Sequence, residues 1–238
     1  MLLEKSTFVV TGASGGLGRH ITRHFLKEGA HVVAVARDED KLLHSLSDIE
    51  SEQNERLLPI AADLTHWQDI LRMKDTAVER FGGVDGLVHS MGGFTAGKTL
   101  AETEADEWDF MMNLNLKSAF LCSKALWPVL LKQGGGKIIT LSALAALNPK
   151  TKRGSYQVSK AGLIALTKSL AQEGKEKNIQ VNSIAPSMIE TEANKKAMPD
   201  ADSSKWVAPL EIAKLAAFLC SDRADDITGS IVEMPGKL

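Results

Sequence analysis

Two hydrophobic periods take turns along the chain. Short, mainly apolar runs rich in β-branched residues are followed by longer segments whose apolar residues recur every three to four positions. Thr7 to Val10 reads as a buried strand that ends in Thr11-Gly12. From Leu17 to Glu28 the apolar residues fall at 17, 21, 25 and 26, one face of a helix, and Gly29 closes it. His31 to Ala36 is the second strand, Lys41 to Glu52 a more polar helix, and Leu57 to Ala62 the third strand. Trp67 to Phe81 is a helix stopped by Gly82-Gly83, and Val84 to His89 is the fourth strand. A long helical stretch from about Glu107 to Lys132 contains Pro128, a residue that kinks or ends helices. Lys137 to Leu141, Ile179 to Ile184 and Ser230 to Met234 complete the strands, with an Ala- and Leu-rich helix from Ser155 to Lys175. Strands alternating with helices predict a parallel sheet covered on both faces. No repeat or low-complexity linker interrupts the order, so one domain over 1–238 is expected.

Composition narrows the class. The 238 residues are 44% hydrophobic and 24% charged, enough to bury a sizeable core and too ordinary for a mainly disordered chain. Lys+Arg 28 against Asp+Glu 30 leaves a formal charge of -2, without the basic excess that announces nucleic acid. No apolar run reaches the ~18 residues of a membrane span. Met1 to Lys5 lacks the charged start and apolar region of a signal peptide, so a cytoplasmic location is expected. Cys122 and Cys220 are too few for a disulfide framework or a cysteine-rich zinc site, and no metal is expected.

The first strand-to-helix turn carries the first chemical signal. Gly12, Gly16 and Gly18 permit a tight turn in which backbone N–H groups approach a pyrophosphate at the helix N-terminus. The second strand ends Val35-Ala36-Arg37. An acid at its end would bind a ribose 2′-hydroxyl, whereas arginine suits a 2′-phosphate, so NADP(H) is the expected cofactor, with NAD(H) as the alternative. Asp63-Leu64, ending the third strand, either borders the adenine or forms a turn. Tyr156 is the chain's only tyrosine, and Lys160 lies four residues later, on the same face of a helix. A neighbouring ammonium would stabilise a phenolate and lower the ordinary pKa of about 10.

Together these residues make the chain resemble the short-chain dehydrogenase/reductase family over nearly its whole length. The matching pieces are Thr11-Gly-x-x-x-Gly16-x-Gly18, Asp63-Leu64, Asn115-Leu116, Tyr156-x-x-x-Lys160 and Val181 to Pro186. The resemblance implies a Rossmann-type doubly wound α/β domain with a seven-stranded parallel sheet, assembled as a homodimer or homotetramer. It implies hydride transfer between nicotinamide and a small-molecule carbonyl or alcohol. Tyr156 would be the general acid, Lys160 would bind the nicotinamide ribose, and Asn115 would hold a relay water. Asn115 also has a simpler reading, a helix-kink amide bonded to backbone. Thr191 would contact the carboxamide, with Gly12, Ser14, Gly16, Leu17, Gly18, Arg37, Asp63, Leu64 and Pro186 also along the cofactor.

Four departures qualify the match. The family's serine, thirteen residues before the tyrosine, is Ala143 here. Ser142, one residue earlier, reaches the site only if the following loop carries an insertion, because neighbouring strand residues face opposite ways. The usual Asn-Asn-Ala-Gly is His89-Ser90-Met91-Gly92, where His89 is either catalytic or a hydrogen-bonded structural residue. Pro186-Ser187 and Met234-Pro235-Gly236 replace the usual Pro-Gly and Asp-Gly-Gly. Ala143 opens a second reading, a cofactor-binding regulatory or structural protein with little turnover. It also matches dihydropteridine reductases, which resemble the chain locally at Gly92 to Gly97 and Asn194 to Asp202, so a pterin-like substrate joins the small carbonyls. Phe94, Leu144, Leu147, Met188, Ile189 and Trp206 are candidates for the substrate pocket. Lys150, Lys152 and Arg153 form a basic run that either attracts an anion or is a solvated loop.

Overall fold

The computed structural model describes residues 1–237. Seven strands form one sheet in the order β3-β2-β1-β4-β5-β6-β7, every neighbouring pair parallel. In chain order the main elements are β1 (Thr7–Thr11), α1 (Gly18–Lys27), β2 (His31–Ala36), α2 (Glu39–Ser45), α3 (Ser51–Asn54), β3 (Leu57–Ala61) and α4 (Trp67–Phe81). There follow β4 (Gly86–His89), α5 (Ala105–Met111), a π-helical segment (Met112–Lys117), α6 (Ser118–Lys132), β5 (Gly136–Leu141), α7 (Leu144–Leu147) and α8 (Gly154–Gly174). The chain ends with β6 (Ile179–Pro186), α9 (Glu192–Ala197), α10 (Pro209–Cys220) and β7 (Ile231–Met234). The sheet's direction of winding reverses between β1 and β4, the place where open α/β sheets bind ligands beyond their strand ends.

The strands are mainly apolar because both faces of the sheet are covered. Phe8 and Val10 join α1 and α10 in one core, while Val9, Val33 and Val35 point into the other with α4 and α6. Alternate residues of β1 therefore feed opposite layers, as the strand period requires.

Four elements depart from the sequence reading. The helix expected from Lys41 to Glu52 is two pieces, α2 and α3, parted at residues 46–50. The long stretch is α5 and α6 joined by a π turn, while Pro128 stays inside α6 without ending it. The fourth strand begins at Gly86 rather than Val84. A twelve-residue helix, α10, lies along α1 where no helix was predicted. Its buried Ile212, Ala213, Ala216, Ala217 and Leu219 give it no clear polar stripe.

Candidate active site

Three loops at the carboxyl ends of the strands build the site. The first is the glycine turn between β1 and α1. Gly12 adopts φ +66°, and a Cβ there would stand 3.0 Å from the Met91 backbone. A Cβ on Gly18 would sit 2.2 Å from the Gly12 carbonyl oxygen, so the turn folds onto α1 only without that side chain. A Cβ on Gly16 would meet Thr191 Cβ at 2.8 Å. The turn thus presents bare backbone at the N-terminus of a ten-residue helix, with Thr191 close by. That geometry fits a dinucleotide pyrophosphate.

Leu17 caps α1 and is nearly buried, and Thr191 caps α9, its hydroxyl accepting from Asn194 N–H at 3.2 Å. Pro186 ends β6 opposite Met234. Leu64 packs in the core with Val9 and Val35. Asp63 accepts the Thr65 backbone N–H at 2.9 Å and the Thr65 hydroxyl at 2.7 Å. Burial would raise the Asp63 carboxyl, but those hydrogen bonds outweigh it and hold it below the usual range. Arg37 is exposed and shares a cleft of about 310 Å3 with Asp63, Thr65 and Lys117. Ser14 opens on a second cleft of about 370 Å3, also lined by Arg19, Arg23 and Lys41.

The second loop follows β4. A Cβ on Gly92 would lie 2.8 Å from Asn115 Oδ1 and 3.1 Å from Lys160 Nζ, so the two side chains converge on that glycine. Asn115 sits in the π segment, and its side chain is fully engaged. Its Oδ1 accepts the Gly93 N–H at 2.8 Å, while its Nδ2 reaches Ser159 Oγ at 2.9 Å and the Gly93 carbonyl at 3.2 Å. The amide therefore clasps the loop to α8.

His89 is buried, and its proton positions follow from its neighbours. The Ser118 hydroxyl donates to the Leu114 carbonyl at 2.7 Å, so it accepts from His89 Nε2 at 3.1 Å. Thr11 Oγ1 accepts the Met91 N–H at 3.1 Å and gives its own proton to His89 Nδ1 at 3.2 Å. The ring is neutral and carries its hydrogen on Nε2. Burial, and secondarily the Lys160 charge, push its pKa down to about 3. Both ring nitrogens are committed to protein, which supports the structural reading over the catalytic one.

The third loop joins β5 to α8. Tyr156 and Lys160 occupy successive turns of α8. Burial pushes the Tyr156 phenol up to about 12, against a downward pull from Arg153. The buried Lys160 ammonium is pushed down to about 8 and donates to the Leu141 carbonyl at 2.7 Å. Ser142 Oγ donates to the Lys160 carbonyl at 3.0 Å, and Ala143 is buried beside it. Phe94 is 57% exposed, and its ring stands 4.9 Å from the Tyr156 ring, edge to face. Leu147 is exposed, whereas Trp206 is buried and packs as core.

Three cations that the sequence does not single out as site residues stand close by: Arg19 and Lys117 line the two clefts, and Arg153 lies over Phe94. For Arg153 a signal existed, since it precedes Tyr156 by one helical turn. Among the described residues no His/Cys/Asp/Glu group has metal-binding geometry, and no helix is long and apolar enough to cross a membrane.

Comparison with known proteins agrees with this geometry. The short chain dehydrogenase family model matches residues 6–202. Dehydrogenase/reductase SDR family member 4 of Bos taurus is 32% identical, over 98% of this chain and 87% of its own length. A 3-oxoacyl-(acyl-carrier-protein) reductase of Thermotoga maritima is 30% identical over 100% and 99%. A short-chain type dehydrogenase/reductase from Mycobacterium ulcerans superposes with a TM-score of 0.93 at 25% identity, over 100% of this chain and 90% of that one. The chain is thus a member of the short-chain dehydrogenase/reductase family, an NAD(P)-dependent oxidoreductase.

Proposed function

We propose that this enzyme is an NADP(H)-dependent reductase of a small carbonyl or pterin-like compound, with Tyr156 as its general acid. The observation that carries the reading is the convergence of Asn115 and of Lys160, one turn of α8 from Tyr156, on Gly92. NADP(H), when bound, supplies the hydride. The protein's part is to place a proton and a charge where oxygen becomes negative. Tyr156 begins as a phenol, the protonation state a general acid requires. Lys160, anchored on Leu141, presents its ammonium at Gly92. Asn115 locks the Gly92–Gly93 turn against α8 and so keeps that geometry.

Preference for the phosphorylated dinucleotide rests on Ala36 in place of an acid, on Arg37, and on the cations of the two clefts beside the turn. The pterin-like option rests on Ala143. With no hydroxyl there and Ser142 committed to the Lys160 carbonyl, the site favours a substrate that delocalises its developing charge. Exposed Phe110, Phe120 and Val158 on α5, α6 and α8 support assembly as a dimer or tetramer of a single cofactor-binding and catalytic domain. We place it in the cytoplasm, where its two buried free thiols stay reduced.

The test is oxidation of NADPH and NADH by wild type and Tyr156→Phe against ketones, aldehydes, quinones and quinonoid dihydropterin. The expected result is turnover that vanishes in the variant while NADPH binding persists. Equal turnover by both proteins would remove Tyr156 from the acid role.

A further inference from the structure

Lys150, Lys152 and Arg153 form one basic run in the sequence, but the fold treats them differently. The two lysines are exposed, whereas Arg153 is half-buried at the head of α8. Among the described residues its guanidinium makes no ion pair and no hydrogen bond. It lies over the Phe94 ring instead, with Cζ 5.7 Å from the centroid. That ring stands edge to face with Tyr156, at an interplanar angle of 79°. Arginine, phenylalanine and the proposed acid thus form one contiguous cluster.

The cluster is held from both sides. Gly97 N–H donates to the Lys152 carbonyl at 2.9 Å, and the Thr95 and Ser155 hydroxyls meet at 3.2 Å. A Cβ on Gly154 would strike the Leu100 side chain at 2.2 Å, so the loop after β4 lies tightly on the start of α8. These contacts fix where Arg153 and Phe94 stand, while the guanidinium keeps its N–H donors uncommitted. A cation–π contact uses none of them.

We propose that Arg153 and Phe94 form an anion-selective entrance to the Tyr156 site, admitting carbonyl substrates that carry a carboxylate on a flat apolar body. Arg153 takes the carboxylate through two parallel N–H···O bonds, and the exposed part of the Phe94 ring packs on the body. The inference rests on the Tyr156 reading above and adds the class of substrate. Arg153 also acts on the acid itself, since its charge draws the phenol toward ionisation.

Calorimetry on the whole protein, with and without NADP+, tests this without turnover. The probes are benzoate, benzamide and phenyl phosphate. Wild type should bind benzoate about tenfold or more tightly than benzamide, the ratio expected of charge-assisted hydrogen bonds. Arg153→Gln should abolish that ratio, and Arg153→Lys should retain part of it. Phe94→Ala should weaken benzoate and benzamide alike. Equal affinities in wild type, or an unchanged ratio in Arg153→Gln, would overturn the proposal. Phenyl phosphate binding more tightly than benzoate would overturn the carboxylate assignment. Neither result depends on Tyr156→Phe kinetics, so the two readings fail separately.

Discussion

Ser142 and Lys160 are bound across the β5–α8 junction in both directions: the Lys160 ammonium donates to Leu141, and the Ser142 hydroxyl donates to the Lys160 carbonyl. The serine is thus spent on holding the helix rather than left free for an oxyanion. Ser142→Ala should lower stability by about 1 kcal/mol, the net worth of one hydrogen bond, because the Lys160 carbonyl keeps its partner within α8. Its turnover should stay within about tenfold of wild type, far from the ~10²–10³ that follows loss of an oxyanion donor. Ala143→Ser should raise reduction of simple ketones. Denaturant melts and steady-state rates on both variants check the pair.

Arg37→Ala should weaken NADPH by about tenfold or more and NADH little, as expected when a charge-assisted phosphate contact is lost. Fluorescence titration with each nucleotide decides this, and a matched loss for both would remove the 2′-phosphate contact.

His89 gives the fold an acid-side weakness. Its pKa is about 3 in the folded chain, against an ordinary value of 6.5. Below that ordinary value the unfolded chain takes up a proton that the folded chain refuses. Stability is therefore lost as pH falls from about 6.5 toward 3. The loss between pH 7 and pH 5 should be about 2 kcal/mol from this residue. His89→Asn should flatten that part of the stability–pH curve, measured by urea melts at several pH values.

Two glycines of similar appearance should respond differently to alanine. At Gly18 a methyl group collides with the Gly12 backbone at 2.2 Å, so Gly18→Ala should cost about 3 kcal/mol or more and abolish nucleotide binding. At Gly82, which caps α4 at φ +80°, nothing lies within 4 Å of the added carbon. Only backbone strain remains there, about 1 kcal/mol. Thermal midpoints of the two variants would separate steric from conformational demand.

What the sequence made legible was chemistry carried by local spacing. The β1–α1 turn and the Tyr156–Lys160 pair lie within one element or junction, so their residues can be read side by side. The π turn left no such mark, because Met112–Lys117 differs from α-helix only in which carbonyl each N–H chooses. α10 was missed because a buried helix shows little amphipathic period. The partners of His89, Thr11 and Ser118, come from β1 and α6, far apart in sequence. Arg153 looked like its exposed lysine neighbours until Phe94 was brought against it.

The π turn also sets a rule about length. It fits an extra residue into the helical path from α5 to α6, and each residue of a helix accounts for about 100° of rotation. Deleting one residue between Met112 and Lys117 would restore regular α-helical geometry and remove the widened turn that aims Asn115. Asn115 would then leave Gly93, and the loop after β4 would part from α8, with every glycine, tyrosine and lysine of the motifs still present. Along this stretch the chain tolerates exchange of side chains more readily than any change in their number.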